Sequence, residues 1–416
     1  MSINKPAPLP LEGVKVIELT HLIAGPYCGQ MMAEEGATVI KVEPPAGELS
    51  RHREPMRRAN GGSVSAHYGS LNRGKQSIAL DLKNSEGSAV LHKLLESSQV
   101  FVTNMRAAAL ERLGIHPKTL HERYPHLVIA VISGYGIEDA GEYADRAGLA
   151  MVAEAMTGAT GLTRDHAGNP VWCGFALGDV LAGMTAHAAI LLAMRNQERY
   201  GIGRVIDLSL VECTLPMVAV ALARVQLADA ALSEFAGSND FHGVPYGAFR
   251  AKDGFVNIGV NRDDFWARLC RAMGRPELAT DERYATYVAR AKHQEAVHEI
   301  TETFTRAHTR AEITAKLNEV DVPVSGILTM KEIIDDRYMQ MRGALCTVDD
   351  GLGGTITLPA DPARFDKPAG RLRVPRIGEH RNAVLTRELG LDAEAIVRLE
   401  EAGAFGSQDK ASPTIG

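Results

Sequence analysis

The feature that most constrains the fold is a regular alternation of short apolar strands and helices early in the chain. Residues 14–19 form an apolar strand, a helix carrying Met31 and Met32 follows, and residues 38–43 form a second strand. Two strands joined by a helix predict a βαβ unit and a parallel sheet with a right-handed crossover. Further strands are predicted at 77–82, 100–102 and 127–132. The alternation therefore predicts an α/β protein built on an open parallel sheet.

Polar side chains follow three of these strands. His21, Asn104 and Tyr135 lie just past strand ends, where ligands collect on open α/β sheets. The first strand is not followed by G-x-G-x-x-G and the chain has no Walker loop, which leaves dinucleotide and nucleoside-triphosphate binding without their main support. The stretch 44–74 is long for a loop inside a compact domain, and such loops are usually functional.

A long apolar helix begins near the middle of the chain, directly after Asp179. No proline interrupts it and no charge appears before Arg195, so the pattern predicts a helix from Val180 to Gln197 that is buried on most sides. The helix is Ala-rich and somewhat short for a membrane span, which is not predicted. Asp179 has two interpretations: it caps the helix through backbone N–H groups, or it is a carboxylate that a ligand can approach.

Length and composition predict two domains in a soluble protein. A chain of 416 residues exceeds what one hydrophobic core usually supports. The hairpin pattern at 248–260, followed by helices and the strand at 323–328, indicates a smaller α+β domain. The predicted parts are a large domain over 9–200 completed by 340–405, a linker helix over 201–235, a small domain over 236–328, a C-terminal segment over 329–405 that returns to the large domain, and a disordered tail over 406–416.

Cysteine usage and charge narrow the class of protein further. The five cysteines are odd in number and form no C-x-x-C pair, which predicts reduced thiols in the cytoplasm and no structural zinc. A formal net charge of −6 argues against nucleic-acid binding. Basic residues nevertheless concentrate between 51 and 83: Arg51, Arg53, Arg57, Arg58, Arg73, Lys75 and Lys83. They form either a site for a compact polyanion or an ordinary solvated loop.

Several motifs, taken in order along the chain, resemble those of the family III CoA-transferases. This CaiB/BaiF-like family includes formyl-CoA transferase and the carnitine CoA-transferase, with α-methylacyl-CoA racemase as a relative. The resemblance covers about residues 9–405. Its motifs are Leu11-Glu12-Gly13-Val14-Lys15-Val16 with His21 and Ala24-Gly25-Pro26, Gly36-Ala37-Thr38-Val39-Ile40-Lys41-Val42-Glu43, Asn72-Arg73-Gly74-Lys75-Gln76-Ser77, Asn104 with Leu110-Glu111-Arg112-Leu113-Gly114, Ser133-Gly134-Tyr135-Gly136, and Leu177-Gly178-Asp179.

The resemblance implies a fold and a mechanism. The fold would be a Rossmann-like parallel-sheet large domain plus a smaller α+β domain, with two subunits interlocked as rings in a homodimer. Asp179 matches the family's catalytic aspartate, which would attack an acyl-CoA thioester to give a mixed anhydride and later an aspartyl-CoA thioester. The implied partners are an acyl-CoA donor such as succinyl-CoA and a small organic acid acceptor. Coenzyme A enters as substrate, and no permanently bound cofactor or metal, nucleic acid or membrane is implied.

The resemblance also implies a set of CoA-binding residues. These are His21, Ile23, Ala24, Leu80, Lys83, Asn104, Met105, Arg106 and Arg112. Lys83, Arg106 and Arg112 would neutralise part of the charge of the CoA phosphates, and their alternative is plain surface charge. His21 would line the thioester end of the site, and its alternative is a core histidine that caps a turn.

Two departures from the family's patterns bear on the substrate. The racemases have Gly-His-Asp where this chain has Gly148-Leu149-Ala150, which cannot transfer a proton. Formyl-CoA transferase has a glutamine at the position of Ile23 and a glycine-rich lid, where this chain has the glycine-poor 239–244. A larger acid than formate or oxalate is therefore expected. A racemase or epimerase, and a CoA-thioester binding protein without turnover, remain as alternatives.

Overall fold

The computed structural model describes residues 8–165, 167–227, 243–363 and 372–406. The strands in these residues are β1 (Lys15–Leu19), β2 (Thr38–Glu43), β3 (Met56–Ala59), β4 (Gly62–Ser65), β5 (Gln76–Ala79), β6 (Val100–Thr103), β7 (Val128–Ser133), β8 (Val205–Ser209), β9 (Tyr246–Ala251), β10 (Gly254–Gly259), β11 (Val324–Gly326), β12 (Leu345–Asp349) and β13 (Thr355–Pro359). The predicted tail after Gly406, the residues 239–242 and the end of the predicted linker helix lie outside the described residues.

The helices alternate with the strands through most of the chain. They are α1 (Ala24–Glu34), α2 (Ala66–Leu71), α3 (Ser85–Glu96), α4 (Ala107–Arg112), α5 (Pro117–Arg123), α6 (Ala150–Met156), α7 (Ala159–Leu162), α8 (Leu177–Tyr200), α9 (Leu210–Thr214), α10 (Ala219–Leu227), α11 (Asp263–Ala272), α12 (Tyr287–Lys292), α13 (Gln294–Arg306), α14 (Arg310–Glu319), α15 (Met330–Asp335), α16 (Arg337–Arg342), α17 (Arg381–Leu389) and α18 (Ala393–Glu401). Two compact units result. The large unit contains the described residues up to Thr157, Phe175–Met217 and those from Arg337 onward, and the small unit contains the rest.

A six-stranded parallel sheet forms the centre of the large unit, which confirms the predicted α/β fold. Its strand order is β5-β2-β1-β6-β7-β8. Every residue of β7 is buried, and alternate side chains enter different cores: Ile129 and Val131 pack on one face, whereas Val128 and Ala130 pack on the other. Burial on both faces explains why this strand is continuously apolar.

The last part of the chain closes one edge of this sheet. His380 exchanges two hydrogen bonds with Ser77 of β5, since the Ser77 amide donates to His380 Nδ1 (3.2 Å) and the His380 amide donates to the Ser77 carbonyl (2.9 Å). The Gly378 amide also donates to Ser77 Oγ. Helix α17 begins directly afterwards and packs on β5. The edge strand is therefore covered by residues about 300 positions further along the chain.

Helix α8 extends three residues beyond the predicted range at each end and stops at Gly201, which adopts a left-handed conformation with φ 70°. Its core-facing side consists mainly of small residues. Gly183 touches α1 so closely that a Cβ there would lie 2.7 Å from the Ala24 carbonyl oxygen. The prediction that the helix is buried on most sides is wrong for this chain, because Met184 and Leu192 on the other side are 49% and 74% exposed.

The sequence predicts a long loop over 44–74, but this segment contains regular structure. It forms the hairpin β3–β4, the helix α2 and a short 3₁₀ turn at Leu49–His52.

The predicted basic patch is also largely wrong. Arg51 pairs with Glu43 (2.6 Å), Arg73 with Glu34 (2.5 Å) and Lys75 with Glu18 (2.7 Å), so these cations are turned inward. Arg57 pairs with Asp350, and the exposed Arg58 pairs with Glu54.

The small unit is built on an antiparallel sheet of order β11-β10-β9. The β9–β10 hairpin turns at Asp253-Gly254, where the sequence predicts a turn. Trp266, Leu269, Val297 and Ile313 belong to α11, α13 and α14 and pack with the sheet residues in a core of their own.

Candidate active site

A cavity of about 280 Å³ lies at the carboxyl ends of β1, β2, β5 and β6. Its lining residues are Leu19, Thr20, His21, Val42, Pro44, Pro45, Gly47, Glu48, Leu49, Leu80, Asp81, Leu82, Lys83, Met105 and Leu113. Four residues that the resemblance assigns to CoA binding, His21, Leu80, Lys83 and Met105, are among them. The parallel strands bring these residues together from widely separated parts of the sequence because all their carboxyl ends meet at one edge.

Asn104 holds the loop that carries His21. Its Nδ2 donates to the His21 carbonyl (2.8 Å), and its Oδ1 accepts from the His21 amide (2.9 Å). The side-chain amide thus pairs with the backbone of residue 21 as a neighbouring strand would. The structure shows Asn104 in a positioning role, since both ends of its amide contact the loop backbone.

Burial lowers the pKa of His21, an effect that Glu48 partly opposes and that Lys41 and Arg106 reinforce. The imidazole is therefore neutral at neutral pH. It presents a small polar ring at the cavity rather than a positive charge.

A buried ionic cluster lies beneath this loop, and sequence reasoning missed it. Glu18 of β1 accepts from Lys41 (2.8 Å) and Thr20 Oγ1 (2.7 Å) and pairs with Lys75 (2.7 Å). Lys41 also donates to the Thr20 carbonyl at 3.0 Å. The cluster fixes the end of β1 at the cavity floor. The available signal was a charged residue inside each of two apolar strands, which requires buried partners.

The remaining predicted CoA-binding residues surround the cavity without lining it. Ile23 is the residue before α1 and Ala24 its first, buried residue. Arg106 precedes α4 and is exposed, and it lies close enough to His21 to affect the histidine's pKa. Arg112 is exposed in the last turn of α4, next to the cavity residue Leu113. Together with Lys83, these arginines are cations available to solvent on this side of the sheet.

Asp179 is the third residue of α8 and does not cap it. The residue before the helix is Ala176, and no side chain caps this end. Among the described residues, none donates a hydrogen bond to the Asp179 carboxylate, which is only partly exposed. Burial and, second, the charge of Glu154 raise the pKa of Asp179 to about 6. The carboxylate is ionised at neutral pH but poorly stabilised, as suits a nucleophile.

Two glycines let other elements approach the start of α8. A Cβ on Gly178 would lie 3.1 Å from Thr214 Oγ1 of α9 and 3.5 Å from Ala150 Cα of α6. Gly183 lies one turn after Asp179 on the same helix face and touches the Ala24 carbonyl. The two glycines thus serve the packing of α8 against α6, α9 and α1. Their packing ties Asp179 to the first turn of α1, directly after the His21 loop.

The described parts of the chain bear on metal binding and on membrane insertion. Within them, no group of three or more His, Cys, Asp or Glu side chains could hold a metal ion. Leu177–Tyr200 and Leu210–Leu227 are long and apolar enough to span a membrane by length and composition alone. In α8, part of this apolar surface is buried, since Ala182, Ala186 and Ile190 pack in the core of the large unit.

Comparisons with known proteins place the chain in a clear context. Residues 11–381 match the family model of CoA-transferase family III. The chain is 33% identical to the succinyl-CoA–D-citramalate CoA-transferase of Chloroflexus aurantiacus, over 96% of this chain and 99% of the relative. It is 32% identical to the succinate–glutarate CoA-transferase of Agrobacterium fabrum, over 90% of this chain and 95% of the relative. A CaiB/BaiF family protein from Brucella suis has a similar crystal structure, with a TM-score of 0.80 and 29% sequence identity. The match covers 92% of this chain and 100% of the Brucella suis chain.

Proposed function

Because this chain belongs to CoA-transferase family III, we propose that it moves CoA from succinyl-CoA to a small carboxylic acid, with Asp179 as the nucleophile. The observation that carries the proposal is the state of Asp179: partly buried, without a hydrogen-bond donor among the described residues, and with its pKa raised to about 6. The relatives act on D-citramalate and glutarate. A dicarboxylic acid of this size is the proposed class of acceptor here.

The proposed reaction transfers CoA in two symmetrical halves. The Asp179 carboxylate attacks the thioester carbonyl, the C–S bond breaks, and CoA leaves as a thiolate from a mixed anhydride. The thiolate then attacks the Asp179 carbonyl, which releases succinate and forms an aspartyl-CoA thioester. The acceptor carboxylate attacks this thioester and again frees the thiolate. The thiolate attacks the acceptor's acyl carbon, giving the new acyl-CoA and free Asp179.

The residues in and around the cavity support the proposal that CoA binds there. Leu80, Met105 and the neutral His21 offer an apolar surface with one polar ring, which suits the adenosine and pantetheine parts of CoA. Exposed Lys83, Arg106 and Arg112 are available for the phosphates. In this arrangement the thioester end points toward the first turn of α1, which Gly183 connects to Asp179.

We also propose that two chains form the interlocked homodimer of the family in the cytoplasm. Large apolar side chains are exposed on the single chain at Leu192 of α8 and at Leu222, Val225 and Leu227 of α10. Surfaces of this kind usually belong to protein–protein interfaces. Light scattering after gel filtration tests this part. Twice the mass of one chain is expected, and the mass of a single chain at assay concentrations contradicts it.

The decisive experiment supplies succinyl-CoA with citramalate, glutarate, malate, formate or oxalate and detects the new CoA thioesters by mass spectrometry. Exchange onto a dicarboxylic acid is expected, and formate and oxalate are expected to remain unreacted. An Asp179→Ala variant that keeps full exchange activity refutes the mechanism. Hydroxylamine or borohydride added during turnover should modify Asp179. The racemase alternative finds no support at Leu149 and Ala150, neither of which can move a proton.

A further inference from the structure

A second carboxyl group contacts the first turn of α8, which carries Asp179. Glu154 of α6 is 2% exposed, and its Oε1 accepts a hydrogen bond from the Gly178 amide at 2.9 Å. The residue before Asp179 is thus bound to Glu154. Helices α6 and α8 meet here so closely that a side chain on Gly178 would touch Ala150, one turn before Glu154. A buried carboxylate is costly unless it is hydrogen-bonded or paired, and the Gly178 amide is one such donor to Glu154.

We propose that Glu154 is a positioning residue of the transfer reaction. Its hydrogen bond fixes the Gly178–Asp179 turn, and its charge destabilises the free Asp179 carboxylate relative to the acylated, neutral Asp179. The inference rests on the proposed function, in which Asp179 is acylated during each turnover.

The movement of charge in the first step explains this role. Asp179 carries a negative charge before the attack and none in the mixed anhydride, because the charge leaves with the CoA thiolate. Repulsion between Glu154 and Asp179 is therefore present in the free enzyme and absent in both covalent intermediates. Protonation removes the same repulsion, which agrees with the raised pKa of Asp179, to which burial contributes most and Glu154 second. The protonated and the acylated forms of Asp179 both carry no charge. An interaction that destabilises ionised Asp179 relative to the protonated form therefore also destabilises it relative to the acylated form.

Other titratable groups on the elements packed against α8 have different partners or carry no charge at neutral pH. Glu212 of α9 accepts from Ser209 Oγ (2.8 Å), and Asp207 of β8 accepts from the amides of Ile137 and Glu138. Glu35, directly after α1, has its Oε2 2.7 Å from His187 Nε2. Glu34 of α1 pairs with Arg73 (2.5 Å). The remaining groups are Tyr27 and Cys28 of α1 and Cys213 of α9, whose pKa values burial raises. Glu154 is thus the carboxylate whose charge acts on Asp179.

The experiment compares three substitutions of Glu154. Glu154→Gln keeps an oxygen that accepts from Gly178 but removes the charge, Glu154→Asp keeps the charge, and Glu154→Ala removes both. Two quantities are measured: the acid limb of the pH–rate profile, and the fraction of enzyme carrying a covalent adduct after mixing with succinyl-CoA alone. Glu212→Gln is the matched control, since it removes a carboxylate from the neighbouring helix α9 that hydrogen-bonds to Ser209.

The expected result separates charge from hydrogen bonding. Burial contributes the larger part of a rise from 3.8 to about 6, so Glu154→Gln should lower the pKa of the acid limb by no more than about 1. The ratio of acylated to free enzyme should fall by up to about tenfold. Glu154→Asp should retain the wild-type acid limb. Glu154→Ala should show the same change in the acid limb and also a lower kcat, because the turn is no longer held.

Two outcomes overturn the inference. One is a folded Glu154→Gln enzyme with the wild-type acid limb and the wild-type covalent fraction. The other, which applies even if Glu154→Gln does not fold, is a Glu154→Asp enzyme whose acid limb moves as far as that of Glu154→Ala. Both leave the proposed function intact, provided that the wild-type enzyme forms the Asp179 adduct. If the wild-type enzyme forms no adduct at all, the proposed function itself fails.

Discussion

Replacing Asp179 with asparagine should make the protein inactive and more stable. Asparagine has nearly the same shape as aspartate but carries no charge. The pKa of Asp179 rises from 3.8 to about 6, and each pKa unit corresponds to about 1.4 kcal/mol, so the ionised side chain costs at most about 3 kcal/mol at neutral pH. Asp179→Asn removes this cost. The expected gain in the free energy of unfolding is about 2–3 kcal/mol at pH 7.5.

The pH dependence of this gain gives a sharper test than its size. Between pH 4 and pH 6 the folded protein holds a proton on Asp179 that the unfolded chain has lost, so wild-type stability decreases as the pH rises through this window. The Asn variant has no such group. The difference between the two proteins should therefore be complete above pH 6 and decline toward zero at pH 4.

Urea unfolding followed by circular dichroism, at one fixed protein concentration and several pH values, measures this difference. Asp350→Asn is the control of opposite sign: although burial opposes it, the amides of Leu352 and Gly354 and the cation of Arg57 hold the pKa of Asp350 below its usual range. That variant should lose stability. An Asp179→Asn protein that is less stable than wild type at pH 7.5, or whose gain does not depend on pH, refutes the reasoning.

Two other substitutions test the support of the site. Glu18→Gln leaves Lys41 and Lys75 buried without their carboxylate and should cost about 3–5 kcal/mol of unfolding free energy, measured by urea titration. Gly183→Ala places a Cβ 2.7 Å from the Ala24 carbonyl oxygen, where an ordinary contact needs 3.4 Å. The start of α8 must shift by about 0.7 Å, kcat should fall roughly tenfold to a hundredfold, and the free energy of unfolding should fall by about 1–3 kcal/mol.

Matched controls separate these effects from general damage. Glu54→Gln removes the carboxylate of an exposed ion pair with Arg58 and should leave the urea midpoint unchanged. Gly161→Ala makes the same change as Gly183→Ala at a helical position with no heavy atom within 4 Å, and kcat should be that of wild type. If Glu18→Gln unfolds at the wild-type urea concentration, or Gly183→Ala keeps the wild-type kcat, the corresponding account of packing is wrong.

The framework of the large unit could be predicted from the sequence. Strands buried on both faces have continuous apolar runs, as in β7, and the positions just past their ends are recognisable as a ligand edge. This edge pattern indicated His21 from the residues alone, whereas Leu80, Lys83 and Met105 were implied by the family resemblance. All four line one cavity. Their binding of CoA stays a prediction.

The ion pairs could not be predicted in the same way. Arg51, Arg73 and Lys75 look like a basic surface in the sequence, yet each is paired with a carboxylate from another element. Pairing depends on which side chains the sheet brings together over distances that local patterns do not encode. Glu154 was missed for the same reason, since nothing in its sequence neighbourhood indicates contact with Gly178.

The hydrogen bonds between His380 and Ser77 have a consequence for synthesis on the ribosome. Strand β5 leaves the exit tunnel early, but the residues that cover its edge are made about 300 positions later. Throughout that interval a nascent chain exposes an unpaired strand edge, a common starting point for aggregation. Premature termination before α17 should therefore yield an insoluble product even though every residue around Asp179 has already been translated.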